Sequence, residues 1–307
     1  MRLRIAVTDN EWFRHLRSQP GIDEVNFWQP GGGRAFRALE PGELLLFKLH
    51  SPLNFIVGGG FFVDFVFFPW TYVWQAFGLK NGASTQAEMK KRIEKYRRKP
   101  IGPTDLIGCI LLRNPFFFDE SLWIPSPADF ASNIVQGKTY APDYATAKDL
   151  WEKVSARLAA SAVEFIEPVL EEPSLWGDPV LVRPRLGQGT FRVLVTDNYQ
   201  RRCAVTGEKA LPALDAAHIR PVTQGGQHRL DNGLLLRTDV HRLFDTGYVT
   251  VTPDGRFLVS HRLKDDFDNG EPYMPFHGQR IWMPGEAGSQ PNKVGVALGY
   301  GVSGVTS

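Results

Sequence analysis

Apolar and polar positions along the chain divide it into an early part built from short strands and a later part built around one hairpin and a helix. The run Glu43-Leu-Leu-Leu-Phe-Lys-Leu-His50 follows the turn pair Pro41-Gly42 and predicts a buried strand. Asn54-Phe-Ile-Val-Gly58 leads into a second strand, and Leu106-Ile-Gly-Cys-Ile-Leu-Leu-Arg113 predicts a third. Between them, Thr85 to Arg98 predicts a helix, with Ser84 or Thr85 as its cap and Glu88 three residues beyond Thr85. Ala145 to Ile166 predicts an amphipathic helix with Leu150, Val154 and Leu158 on one stripe. The proline-rich run from Glu167 to Pro184 reads as a linker. Beyond it, Leu214-Asp-Ala-Ala-His-Ile-Arg220 predicts a strand, Gln224-Gly-Gly226 and Asp231-Asn-Gly233 are turns, and Leu234-Leu-Leu-Arg237 is a return strand. Thr238 or Asp239 then caps a short helix carrying His241, Leu243, Phe244 and Asp245.

The expected architecture is α+β, in four stretches: a domain over 1–145, a helix and linker over 146–184, a second domain over 185–295 and a loosely held tail over 296–307. A length of 307 residues leaves room for two cores. An apolar share of 43% beside 22% charged residues is that of a globular protein. The apolar run Phe61 to Trp74 is broken by Asp64, Pro69 and Thr71, so no membrane span is expected, and the apolar run at the start is too short for a signal peptide to be expected. Cys109 and Cys203 stand too far apart in sequence for a disulfide framework or a four-thiolate zinc site. Together these features predict a cytoplasmic protein.

A net charge of +2 announces no nucleic-acid binder, but Met89 to Lys99 holds seven basic residues against one acid. Lys90, Lys91 and Arg97 in that block are candidate phosphate contacts. Arg185, Gln188 and Arg192, near a predicted helix start, and Arg220, on the His218 face of its strand, are candidates for the same task.

The later hairpin carries the chemistry. His218 suits general-base work because an imidazole titrates near neutral pH. Asn232 can bond backbone across the hairpin loop and pin it. His241 and Asp245 lie one helical turn apart and could share a divalent cation, magnesium or manganese for a His, carboxylate and water set.

The order His218, Asn232, His241, with Cys203-Ala-Val-Thr-Gly207 upstream and His241-Arg-Leu-Phe-Asp245 downstream, closely resembles the HNH endonuclease domain of bacterial restriction endonucleases. The resemblance spans most of residues 185–285. It implies a ββα-metal fold, with His218 as general base, Asn232 holding the hairpin and His241 binding the metal. Many relatives carry a metal-binding Asp or His immediately before the base, where this chain has Ala217; Asp215 is the candidate replacement. Relatives with zinc knuckles carry paired Cys-x-x-Cys motifs, whereas Cys203 stands alone and is expected in the core.

The first domain concentrates aromatics beside glycines, as in Val25-Asn-Phe-Trp-Gln-Pro-Gly-Gly-Gly33 and Gly58-Gly-Gly-Phe-Phe62. Aromatic walls with nearby amides are what a flipped-base pocket uses. This half resembles a PUA-superfamily module of the EVE, ASCH or SRA kind, which implies a small β-barrel with flanking helices that reads modified cytosine in double-stranded DNA. The base cage then falls on Trp28, Phe61 and Trp70, with Asn26 and Gln29 reading the base edge. The fusion implies a modification-dependent restriction enzyme. Two other functions stay open: an effector nuclease whose first domain senses a small nucleotide, and a DNA-binding protein with a degenerate nuclease domain. A phosphorothioate or a glucosylated base are further candidate marks. An HNH site cuts one strand, so a double-strand break calls for a homodimer or two binding events.

Overall fold

The computed structural model describes residues 2–160, 186–285 and 291. The chain divides into two compact units, residues 1–182 and 183–307. The predicted linker from Glu167 to Pro184, the last turn of the predicted helix up to Ile166, Arg185 and the tail over 296–307 lie outside the described residues.

The first unit runs β1 (Leu3–Thr8), α1 (Asn10–Arg17), β2 (Glu24–Gln29), β3 (Leu44–Leu49), β4 (Phe55–Pro69), α2 (Trp70–Phe77), α3 (Gln86–Arg97), β5 (Leu106–Phe117), β6 (Ile124–Pro125), β7 (Gly137–Tyr140) and α4 (Ala145–Ala160). The strands form one sheet in the order β2-β5-β4-β3-β1-β7, with β6 beside β4. Among the described residues only β1 and β3 pair in parallel, Val7 opposite Lys48; the other ladders are antiparallel.

The expected barrel does not close. Among the described residues no ladder joins the end strands β2 and β7, and the sheet is open. Burial of both faces, which a barrel achieves by wrapping, is met here by layers on either side. All six residues of β3 are buried. Its Leu44 and Leu46 enter one core with Phe116, Phe118 and α4, while Leu45, Phe47 and Leu49 enter another with Trp12, Phe13 and Leu16 of α1. The helix α4, read from sequence as leading into the linker, contributes Ala147, Leu150 and Val154 to the first of these cores. Strand β4 is longer than the apolar run suggested, and register shifts at Gly59/Phe61 and Phe62/Asp64 bend it. Helix α3 starts as its sequence indicated: the Thr85 hydroxyl accepts from Glu88 N, and the Glu88 carboxylate returns to Ser84 N.

The second unit runs α5 (Gln188–Asn198), β8 (Leu214–His218), β9 (Gly233–Arg237), α6 (Thr238–Asp245), β10 (Val249–Val251), β11 (Phe257–Val259) and α7 (Arg262–Phe267). The antiparallel pair β8–β9 sets His218 opposite Gly233. Phe191, Val195 and Tyr199 of α5 share a core with Leu234, Leu235 and Leu236 of β9 and with Val240 and Phe244 of α6. Neither Thr238 nor Asp239 caps α6. Its N-cap is Arg237, which makes no side-chain cap bond, and Asp239 is instead paired with the Arg237 guanidinium at 2.6 Å. The pair holds the negative charge near the positive end of the helix.

Candidate active site

Strand β8, the loop after it and helix α6 deliver the polar groups of the hairpin. His218 ends β8, half-buried, its ring stacked on Phe191 of α5 with centroids 4.2 Å apart and planes 9° from parallel. Its Nε2 lies 3.0 Å from Nδ1 of His228, in the loop between the two strands. Burial, reinforced by the like charges of His228 and His241, pushes the His218 imidazole down to about 4. At neutral pH the ring is therefore uncharged and free to take a proton, but it is a weaker base than the near-neutral imidazole that the sequence suggested.

Asn232 ties the loop together. Its Oδ1 accepts from Arg220 N at 2.9 Å, and its Nδ2 donates to Arg220 O at 3.0 Å and to Gln227 O at 2.9 Å. The loop is tight enough that a Cβ on Gly226 would collide with the Arg220 carbonyl. At Gly233 a Cβ would stand 2.5 Å from Cγ2 of Val195 and 3.2 Å from the Phe191 ring, so the absent side chain lets α5 lie directly on the hairpin.

His241 projects from α6 between two carboxylates. Its Nδ1 is 3.6 Å from Asp215 Oδ2 and its Nε2 is 3.2 Å from Asp245 Oδ2. Arg192 reaches Asp215 at 4.0 Å. No three His, Cys, Asp or Glu side chains among the described residues are arranged as a metal cage. An imidazole nitrogen with one carboxylate, completed by water and substrate oxygens, nevertheless suits magnesium or manganese, which keep much of their own hydration. Because one imidazole binds an ion through one nitrogen, Asp215 and Asp245 are alternatives as the second protein donor in this arrangement. The donor set fits a divalent ion on those terms.

The other sequence candidates lie on separate elements. Gln188 is exposed in the first turn of α5, whose N-cap, Gly187, makes no side-chain bond, and Arg220 is exposed with its Nε on Gln224 O at 2.8 Å. Lys91 is exposed, and Lys90 pairs with Glu94 at 3.7 Å. Arg97 is engaged internally, donating to Pro30 O and Leu106 O and pairing with Asp105 at 3.5 Å.

The proposed cage residues are not gathered. Asn26 is fully buried, its Nδ2 on Asn81 Oδ1 at 2.9 Å. Trp28 donates its indole N–H to Asn81 O, and Trp70 donates its own to Gly102 O, each at 2.9 Å. Trp28 packs against the core under α1 and Phe61 against the core under α4, on opposite faces of the sheet. Gln29 ends β2 opposite Gly108. The Asn26 amide N–H and the two indole N–H groups are spent inside the first unit, on Asn81 and Gly102, which the sequence pattern alone does not reveal.

Two residues escaped the sequence pattern, His228 and Phe191. His228 carried a signal, as one of 7 histidines and one that falls between His218 and Asn232. Phe191 carried none, because its stacking on His218 comes from a helix distant in sequence.

Residues 203–252 match the HNH endonuclease family model. The chain thus carries an HNH endonuclease domain in its second unit. No curated protein matches the chain. Among solved structures, ASCH from Zymomonas mobilis is similar at 12% identity over 50% of this chain and 94% of its own, with a TM-score of 0.32. A tyrosine-to-phenylalanine mutant of the same protein is similar at 12% identity over 49% of this chain and 96% of its own, with a TM-score of 0.33. No helix among the described residues is long and apolar enough to cross a membrane.

Proposed function

We propose that the second unit is a metal-dependent HNH endonuclease that hydrolyses phosphodiester bonds of double-stranded DNA. The observation that carries this is His218 at the end of the hairpin, its ring stacked on Phe191, with Asn232 clamping the loop that follows it. His218 takes the proton of the attacking water, and the Phe191 and His228 contacts hold the imidazole in place as it does so. His241 and Asp215 would hold the divalent ion. Asp245, at the other nitrogen of His241, fixes the orientation of that ring, as carboxylates commonly do for metal-binding histidines. When bound, the ion stabilises negative charge on the scissile phosphate and the leaving oxygen. Arg192, Arg220 and Gln188 are placed in this reading as phosphate contacts.

We further infer that the first unit selects the substrate, with modified cytosine as the mark. An unselective DNA nuclease would destroy its own host, and the first unit has cores of its own with Lys91 exposed on α3. Such a protein acts as a modification-dependent restriction enzyme, and as a homodimer where both strands are cut.

One experiment tests both levels. Wild type and His218→Ala are compared on methylated and unmodified plasmid with magnesium or manganese. Loss of the base is expected to slow nicking by about a hundred-fold to ten-thousand-fold. Near-wild-type nicking by the variant would refute the role of His218, and equal rates on both plasmids would refute the modified-base selection while leaving the nuclease standing.

A further inference from the structure

The first unit contains a cavity of about 380 Å³ at the C-terminal ends of the parallel strands β1 and β3, walled on its other side by the 126–135 segment. Lys48 reaches it from β3. This lysine is 5% exposed, and its ammonium donates to Leu49 O at 3.1 Å and to Asn54 Oδ1 at 2.8 Å. It also lies 5.2 Å from the centre of the Phe130 ring. Among the described residues no carboxylate pairs with it, and burial alone pushes its pKa down. Asp129, next to Phe130 in sequence, is held by Lys138 at 2.8 Å and Tyr140 at 3.1 Å.

A buried ammonium that meets only neutral oxygens weakens the fold that carries it, since its desolvation goes uncompensated by an opposite charge. An apolar residue at position 48 would fill the same space without that cost. A second polar group is also left over: the Ser126 Oγ is buried and has no hydrogen-bond partner. Ser51 and Ser132 add hydroxyls to the lining, His50 stands at its rim, and among the described residues no acidic one lines it. The remaining wall is apolar, formed by Val7, Ile134 and the exposed Val135.

We propose that this cavity binds a small organic anion, a carboxylate or a phosphate monoester, whose oxygens meet Lys48 and Ser126 and whose body lies along Val7 and Ile134. Its volume falls at the low end of small-molecule sites, roughly 300–1,000 Å³, which suits a ligand of mononucleotide size or less. A flipped base is disfavoured: it stacks between ring faces, and the Phe130 ring already carries the ammonium. The site is independent of the nuclease reading, since every residue in it belongs to the first unit.

The test uses the full chain, calorimetric titration and thermal unfolding, with inorganic phosphate, the four nucleoside 5′-monophosphates and benzoate as probes. Saturable binding of at least one anion is expected, with a rise in Tm. Lys48→Met is expected to weaken that binding by about tenfold or more. In the absence of ligand it should leave Tm unchanged or raised, an outcome that a purely structural lysine would reverse. Ser126→Ala, which removes a buried hydroxyl without a hydrogen-bond partner, should weaken binding several-fold at unchanged or raised Tm, and it carries the test if Lys48→Met fails to fold. The proposal is overturned if no probe binds at millimolar concentration, if uncharged nucleosides bind as well as their phosphates, or if neither substitution changes affinity.

Discussion

Asn232 offers the sharpest test of the hairpin, because two substitutions of nearly opposite shape are expected to fail for different reasons. Replacement by Ala deletes three side-chain hydrogen bonds, one accepted from Arg220 N and two donated to Arg220 O and Gln227 O. At a net 0.5–1.5 kcal/mol each, the loss would approach about 3 kcal/mol. The side chain is only partly buried, water takes up some of those partners, and about 2 kcal/mol is the reasonable figure. If that energy holds the loop, and with it the end of β8, in its working shape, the nicking rate falls roughly thirty-fold at about 1.4 kcal/mol per tenfold. Asn232→Asp keeps the shape and the acceptor for Arg220 N, but it sets a carboxylate oxygen against two carbonyl oxygens. It should therefore be no better than Ala. The assay is the initial rate of plasmid nicking under single-turnover conditions, read beside thermal melts to separate loop disorder from unfolding. A wild-type rate in Asn232→Asp, or an Ala variant within about two-fold of wild type, would refute the clamp.

His241→Ala should raise the manganese concentration needed for half-maximal nicking by about tenfold to a hundred-fold or more, and chelator should abolish activity in the wild type; full activity in chelator would sink the assigned ion site. The pH dependence of stability has a definite sign. The unfolded His218 imidazole protonates near 6.5 and the folded one only near 4, so between those values the unfolded chain binds more protons and the metal-free protein loses stability as pH falls. Chemical denaturation at several pH values should show that slope reduced in His218→Gln, and an unchanged slope would contradict the buried, neutral imidazole.

The hairpin and its helix were legible because their pattern is local. Alternation in Leu214 to His218, two glycine turns and the apolar return strand leave little choice of register, and β8, β9 and α6 lie where that pattern set them. The start of α6 was not legible in detail: Asp239 carries the composition of a cap, but the neighbouring Arg237 side chain takes its carboxylate. In the first unit, β3 was plain from the mostly apolar run Leu44 to Leu49, whereas β4 was legible only at its start, Asn54 to Gly58, because the three glycines and the register shifts beyond them interrupt the alternation. The aromatic and amide residues around Trp28 show the same limit. Their composition suits a base pocket equally well as a core, and only the positions of Asn81 and Gly102 reveal that Asn26, Trp28 and Trp70 spend their polar atoms inside the protein. His228 was missed for a related reason, because a contact between two loop-separated rings leaves no periodic trace.

The ring that braces His218 belongs to Phe191, which precedes the segment 203–252 that matches the nuclease family, and the close approach of α5 depends on the bare backbone of Gly233. For anyone trimming, fusing or transplanting the cutting module, the portable unit is therefore larger than its motif. A cassette that starts at Cys203 carries every residue of the signature and leaves behind the wall against which the imidazole is set, so the boundary of the motif and the boundary of the working part differ by a helix.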